Sequence, residues 1–185
     1  MGLFAKRSEK DFLSVYDTLS DAIFRHAYYR LLDRHKARDI TQEAFTRVWN
    51  ALQEGKKIEN LKAFLYTVTN HLIVDDVRKK HPTAFSDMHK ESEDEEGSAY
   101  DPPSSAHIEL FMNTEAKRTL EESLRTLDGP YRAIVVMRFV DDMSPKEIAE
   151  ATGERENTVS VRLHRAIRKL REEAEGKGDN NHQTH

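Results

Sequence analysis

Residues 144–171 carry two helix signals separated by a glycine, and few folds accommodate such a pair. Ser144-Pro145-Lys146-Glu147 reads as a helix start: Ser as N-cap, Pro at the first helical position, and Glu three residues after the cap to close a capping box. Ile148 and Ala149 follow as the buried side of a short helix. Gly153 stands where a tight turn needs a residue tolerant of positive φ. A second helix is expected from about Asn157, because Val159, Leu163, Ala166, Ile167 and Leu170 recur at helical spacing. Off that apolar stripe lie Arg162, His164, Arg165, Arg168, Lys169 and Arg171. The pattern is a helix-turn-helix whose second helix has one apolar and one cationic side. Such a helix suits the major groove of DNA, where Lys and Arg meet phosphates and guanine edges.

The rest of the chain is read against that constraint. Its 185 residues suffice for one domain or two small ones. Seven glycines, five prolines and 34% charged residues favour helices over a β-sandwich. No cysteine is present, which removes disulfides and thiolate zinc sites and fits a reducing cytoplasm. The first residues lack a long apolar core, so no signal peptide is expected, and no apolar run is long enough to span a membrane.

The formal net charge of −4 conceals an uneven distribution. Residues 82–113 hold eight acidic residues and one lysine, whereas residues 155–171 hold six cations and one anion. Local patches therefore decide what the chain can bind. Lys90-Glu91-Ser92-Glu93-Asp94-Glu95-Glu96 is too charged to bury a core, and Asp101-Pro102-Pro103 resists helix and sheet alike. The stretch 82–113 is expected to be a flexible acidic linker, and residues 174–185 a disordered polar tail.

Before the linker the periodicity is helical. A first helix is expected over 11–32 on Phe12, Leu13, Tyr16, Ile23, Phe24, Ala27 and Leu31. Asp33-Arg34-His35-Lys36-Ala37 reads as a polar connection, and a second helix runs from about Arg38 to Gln53 on Ile40, Ala44, Val48, Trp49 and Leu52. Asn60 is a good N-cap for a third, carrying Leu61, Phe64, Leu65, Val68, Leu72 and Val77 to about Lys80. The expected architecture is all-α: a helical domain over 8–81, the linker, and a helix-turn-helix domain over 114–173.

Two blocks make the chain recognisable. Asp39-Ile40-Thr41-Gln42-Glu43-Ala44-Phe45-Thr46-Arg47-Val48-Trp49 resembles the polymerase-docking helix of bacterial sigma factors. Leu61-Lys62-Ala63-Phe64-Leu65-Tyr66-Thr67-Val68-Thr69, with Asp75-Asp76-Val77-Arg78, resembles the helix that follows it. Leu127, Pro130, Tyr131 and Arg132, then Glu147-Ile148-Ala149, Thr158-Val159, Arg162-Leu163 and Arg165-Ala166, match the family's C-terminal domain. The layout is that of the small extracytoplasmic-function (ECF) group of the sigma-70 family, over roughly residues 10–80 and 115–173.

The resemblance implies partners and sites. Asp39, Gln42 and Glu43 would meet the clamp helices of the largest subunit of core RNA polymerase. Their spacing of three and four residues puts them on one helix face, opposite Ile40, Ala44 and Val48. The third helix and its preceding loop would hold the displaced strand of the −10 promoter element, through Lys56, Lys57, Asn70, His71, Arg78 and Lys79. Many members carry Arg-Asn where this chain has Asn70-His71, so the amide is shifted by about 100° around the helix, and either Asn70 or His71 faces the strand. In the helix-turn-helix, Ser160, Arg162, His164 and Arg165 would lie nearest the base edges of the −35 element, with Thr158, Arg168 and Lys169 on phosphates. Thr152 and Glu154 replace the apolar residues common in the family's turn, which predicts a looser turn. A separate anti-sigma factor is a further implied partner. No cofactor, metal or small-molecule substrate is implied.

Two other readings compete. A stand-alone helix-turn-helix regulator accounts for residues 144–171 but not for the block from Asp39 to Trp49. An enzyme using His71, Asp75 and Asp76 with a metal is favoured only by the spacing of four between His71 and Asp75; no further ligands are evident from local spacing, and the chain has no Gly-rich phosphate loop or nucleophile elbow.

Overall fold

The computed structural model describes residues 3–80 and 114–179, and among them it contains seven α-helices and no strand. The helices fall into two compact units. The acidic stretch 82–113 and the last six residues lie outside the described residues.

The N-terminal unit is built from α1 (Leu3–Leu31), α2 (Arg34–Gln53) and α3 (Leu61–Lys80). The α1–α2 connection is shorter than the sequence suggested. Leu32 takes φ 53°, a left-handed residue that stops α1. Asp33 then caps α2, its side chain accepting from the backbone N–H groups of His35 (3.0 Å) and Lys36 (3.1 Å). Residues 34–37 are thus the first turn of α2 rather than a loop, and Ala37 is fully buried there. Asn60 acts at α3 as expected, its Oδ1 accepting from Ala63 N–H at 3.0 Å.

The core of this unit joins Ile23, Ala27 and Tyr29 of α1, Ala37, Ile40, Ala44 and Val48 of α2, and Leu65, Tyr66 and Ile73 of α3. The buried side of α3 is rotated from the expected stripe. Tyr66, Thr69 and Asn70 are buried, whereas Phe64, Val68, Leu72 and Val77 are half-buried. Polar side chains enter the interior because partners meet them. The Thr69 hydroxyl donates to Leu65 O at 2.8 Å, and Arg30 Nη1 donates to Asn70 Oδ1 at 2.7 Å. Lys36 Nζ donates to Asp76 Oδ1 at 2.7 Å, tying the start of α2 to the last turns of α3. Leu13 and Tyr16, expected in the buried stripe of α1, are instead 52% and 47% exposed. The ring contacts of Tyr16 run to Phe12 on its own helix and Phe45 on α2, so one side of this end of α1 stays open.

The second unit comprises α4 (Thr114–Arg125), α5 (Gly129–Phe139), α6 (Pro145–Thr152) and α7 (Glu156–Asp179). Its core holds Leu124, Leu127, Ile134, Val136 and Met137 with Ile148, Val159, Leu163 and Ala166. Arg132 donates from Nε to Leu124 O (2.8 Å) and from Nη2 to Leu127 O (2.9 Å), satisfying carbonyls at and just past the end of α4. Burial, and then repulsion from Arg125, lower its pKa from the usual arginine value, with Asp128 opposing. Helix α7 continues through residues 174–179, which sequence reasoning had given to a disordered tail. Its glycines at 176 and 178 weaken a helix by about 1 kcal/mol each relative to Ala without ending it.

Candidate nucleic-acid and polymerase interface

The helix-turn-helix is formed by α6 and α7. The Ser144 capping box is complete: Glu147 N–H donates to Ser144 Oγ (3.3 Å), and Ser144 N–H donates to Glu147 Oε2 (2.8 Å). Gly153 ends α6 at φ 74°, its N–H donating to Ala149 O at 2.9 Å. Val159, Leu163 and Ala166 of α7 are fully buried, which fixes the outward side of that helix. At about 100° per residue, that side centres on Val161 and Arg168, flanked by Asn157, His164 and Arg165.

This placement corrects two expectations. Ser160 is only 8% exposed and sits on the buried side, so its hydroxyl is not presented on the outward face. Arg162 lies at the border between the buried and outward sides, and its Nη1 donates to both oxygens of Glu154, at 2.7 and 2.8 Å. The polar residue in the turn, expected to loosen it, instead gains a partner eight residues on. The Thr152 hydroxyl also bonds inward, donating to Ile148 O at 2.8 Å. Lys169 Nζ reaches Asp128 Oδ2 at 3.1 Å and lies 4.6 Å from the Tyr131 ring centroid, so it joins α7 to the start of α5. Thr158, His164 and Arg168 are exposed, and Arg165 is half-buried. Arg168 meets Glu172 at 3.9 Å with both side chains well exposed, a contact that water and ions readily exchange. Asn157 and Val161 were missed by sequence reasoning. Their signal was present in the helical period, but neither is charged.

In the N-terminal unit, Asp39, Gln42 and Glu43 are all exposed on one face of α2, opposite the buried Ile40, Ala44 and Val48. Glu43 Oε1 accepts from Arg47 Nε at 2.8 Å within that face. Beside it, Phe12, Tyr16, Phe45 and Trp49 line a groove of ≈ 670 Å³ whose polar edge includes Gln42 and Thr46.

Along α3 the structure separates Asn70 from His71. Asn70 is 5% exposed and holds Arg30, which corrects its assignment to the melted strand. His71 is exposed, close to the centre of the outward side with Arg78. Lys56 Nζ lies 4.7 Å from the Phe64 ring centroid, which sets the loop cation over the start of α3; Lys57 is exposed beside it. Phe64 and Lys79 are about 22 Å apart along the helix axis at 1.5 Å per residue. The cations therefore line a track with His71 between them rather than a single cluster.

Two family models match these units. The sigma-70 region 2 model covers residues 15–83, and the sigma-70 region 4 model covers residues 117–170. The chain belongs to the sigma-70 family. It is 29% identical over 173 residues to the ECF RNA polymerase sigma factor SigW of Bacillus subtilis, covering 91% of each chain. It is 28% identical over 148 residues to the RNA polymerase sigma factor SigV of the same organism, covering 80% of this chain and 81% of that one. Among solved structures, it resembles the sigma factor RpoE of Bartonella quintana, solved with the anti-sigma factor NepR. That likeness has a TM-score of 0.63 at 21% identity and covers 88% of this chain and 96% of the other. As a sigma factor of the ECF group, the chain directs RNA polymerase to promoters. No helix among the described residues is long and apolar enough to cross a membrane.

Proposed function

We propose that this sigma factor docks on core polymerase through Asp39, Gln42 and Glu43. We further propose that it reads the −35 element with the outward side of α7 and holds the displaced −10 strand along α3. The observation that carries the reading is the α2 face. Three polar side chains, able together to accept and donate hydrogen bonds, stand exposed on a helix whose opposite side is locked into the core. A rigid, prepaid arrangement of this kind suits a specific polar interface. On α3, Lys56, Lys57, Arg78 and Lys79 supply charge for a phosphate backbone, and His71 supplies a π-face for an unstacked base.

The chain itself performs no covalent chemistry in this reading; RNA synthesis belongs to the polymerase. Its place is the cytoplasm, where polymerase and chromosome are. A separate anti-sigma factor would inhibit it by covering these faces, in line with the NepR complex of its structural relative.

The test is binding to core RNA polymerase by the full chain and by an Asp39→Ala/Gln42→Ala/Glu43→Ala variant. Wild-type binding that the triple change weakens at least tenfold is the expected result. Equal binding by both folded proteins would remove the α2 face from the interface.

A further inference from the structure

We infer that Glu154 is a counter-charge built into the DNA-binding face: it holds Arg162 away from phosphate and so limits the sequence-independent affinity of the helix-turn-helix. The inference rests on the reading above that α7 faces DNA.

The Glu154–Arg162 pair differs from the other ion pairs of α7. It spans the turn of the motif, linking the first residue after Gly153 to the second turn of the recognition helix. Both carboxylate oxygens are engaged by one guanidinium nitrogen, at 2.7 and 2.8 Å. The side chains are 22% and 31% exposed, whereas Arg168 and Glu172 are 65% and 67% exposed. Partial desolvation and short charge-assisted bonds make the tighter pair less easily exchanged for solvent or phosphate.

Its position gives the pair a consequence for DNA binding. Arg162 stands at the border between the buried side of α7 and the outward side centred on Val161 and Arg168, where an arginine released from its partner has the length to turn toward a phosphate of bound DNA. Phosphate contacts fix a protein on the duplex but carry no sequence information. An arginine committed to Glu154 brings no net charge to that backbone, so it releases no counterion and adds nothing to non-specific binding. Sequence discrimination is then left to the outward residues Asn157, Val161, His164, Arg165 and Arg168, whose chemistries match base edges and the thymine methyl group.

The experiment uses holoenzyme reconstituted from core polymerase and the full chain. It measures binding to a duplex selected from a random pool and to an unselected duplex of equal length, across about 50 to 200 mM salt. Glu154→Gln keeps the size of the side chain and removes its charge. It is expected to tighten binding to both duplexes and to steepen the log–log salt dependence by roughly 0.9, the increment for one added phosphate contact. Its advantage over wild type should therefore fall about 3.5-fold across that salt range. The change should vanish in Glu154→Gln/Arg162→Ala, which removes both charges and should keep the wild-type slope. An unchanged slope in Glu154→Gln overturns the inference, as does a slope flatter than wild type in Glu154→Gln/Arg162→Ala, which would mean that Arg162 already holds phosphate. Arg165→Ala separates the two levels of the argument. If it weakens binding to the selected duplex while Glu154→Gln behaves as wild type, only the counter-charge is wrong. If it has no effect, α7 does not face DNA and both ideas fall. A local loosening of the turn would lower the melting temperature without adding a counterion to the salt slope.

Discussion

Asn70→Ala separates a strand-binding amide from a structural one. In the structure its Oδ1 accepts from Arg30 at 2.7 Å, and the residue is 5% exposed. Hydrogen bonds to charged groups contribute about 1.5–3 kcal/mol net, and truncation also leaves a small void. The expected loss is therefore about 2 kcal/mol from the N-terminal unit. Trp49, the chain's single tryptophan, lies in that unit and provides a local probe. With an m-value of about 1–2 kcal/mol/M for a domain of this size, the urea midpoint followed by Trp49 fluorescence should fall by roughly 1–2 M. His71→Ala should leave that midpoint within error and weaken capture of single-stranded −10 DNA by holoenzyme. An Asn70→Ala protein with an unchanged midpoint and a selective loss of strand capture would refute the reasoning. The amide would then have to leave the interior to bind a base.

Two further outcomes are expected. Gly153→Ala places a Cβ at φ 74° with no heavy atom within 4 Å, so only backbone strain opposes it. The C-terminal unit should lose about 1–2 kcal/mol in thermal melting, with promoter preference unchanged. Ser160→Ala should leave the ranking of −35 sequences intact when variant holoenzymes are compared on a promoter library, because the side chain lies on the buried side of α7.

What was legible in the sequence was what local physics decides. The Ser144 capping box, the left-handed Gly153 and the apolar stripe of α7 depend on residues within a few positions of one another, and each stands where the sequence put it. The exposed face of α2 was equally readable, since its period is strict. What the sequence hid were contacts between distant positions. No local rule says that Asn70 meets Arg30, forty residues earlier, or that Lys169 meets Asp128. Choosing candidate contacts on the DNA-binding helix by residue type alone therefore took in the buried Ser160 and gave no sign that Arg162 is paired with Glu154. The α1–α2 connection was misread because polar residues 34–36 look like a loop until Asp33 is seen to cap them.

The two bonds from Arg132 to Leu124 O and Leu127 O measure out the corner between α4 and α5. A guanidinium has nitrogens on separate arms of a rigid fork, so it can reach two carbonyls that belong to different turns of the chain; an ammonium group offers its three donors from one point and serves both only if they converge there. The length of the corner is thereby set by one side chain. A residue inserted between Leu127 and Arg132 would take one carbonyl out of reach and leave the end of α4 to fray. The corner between α4 and α5 is thus sensitive above all to the number of its residues.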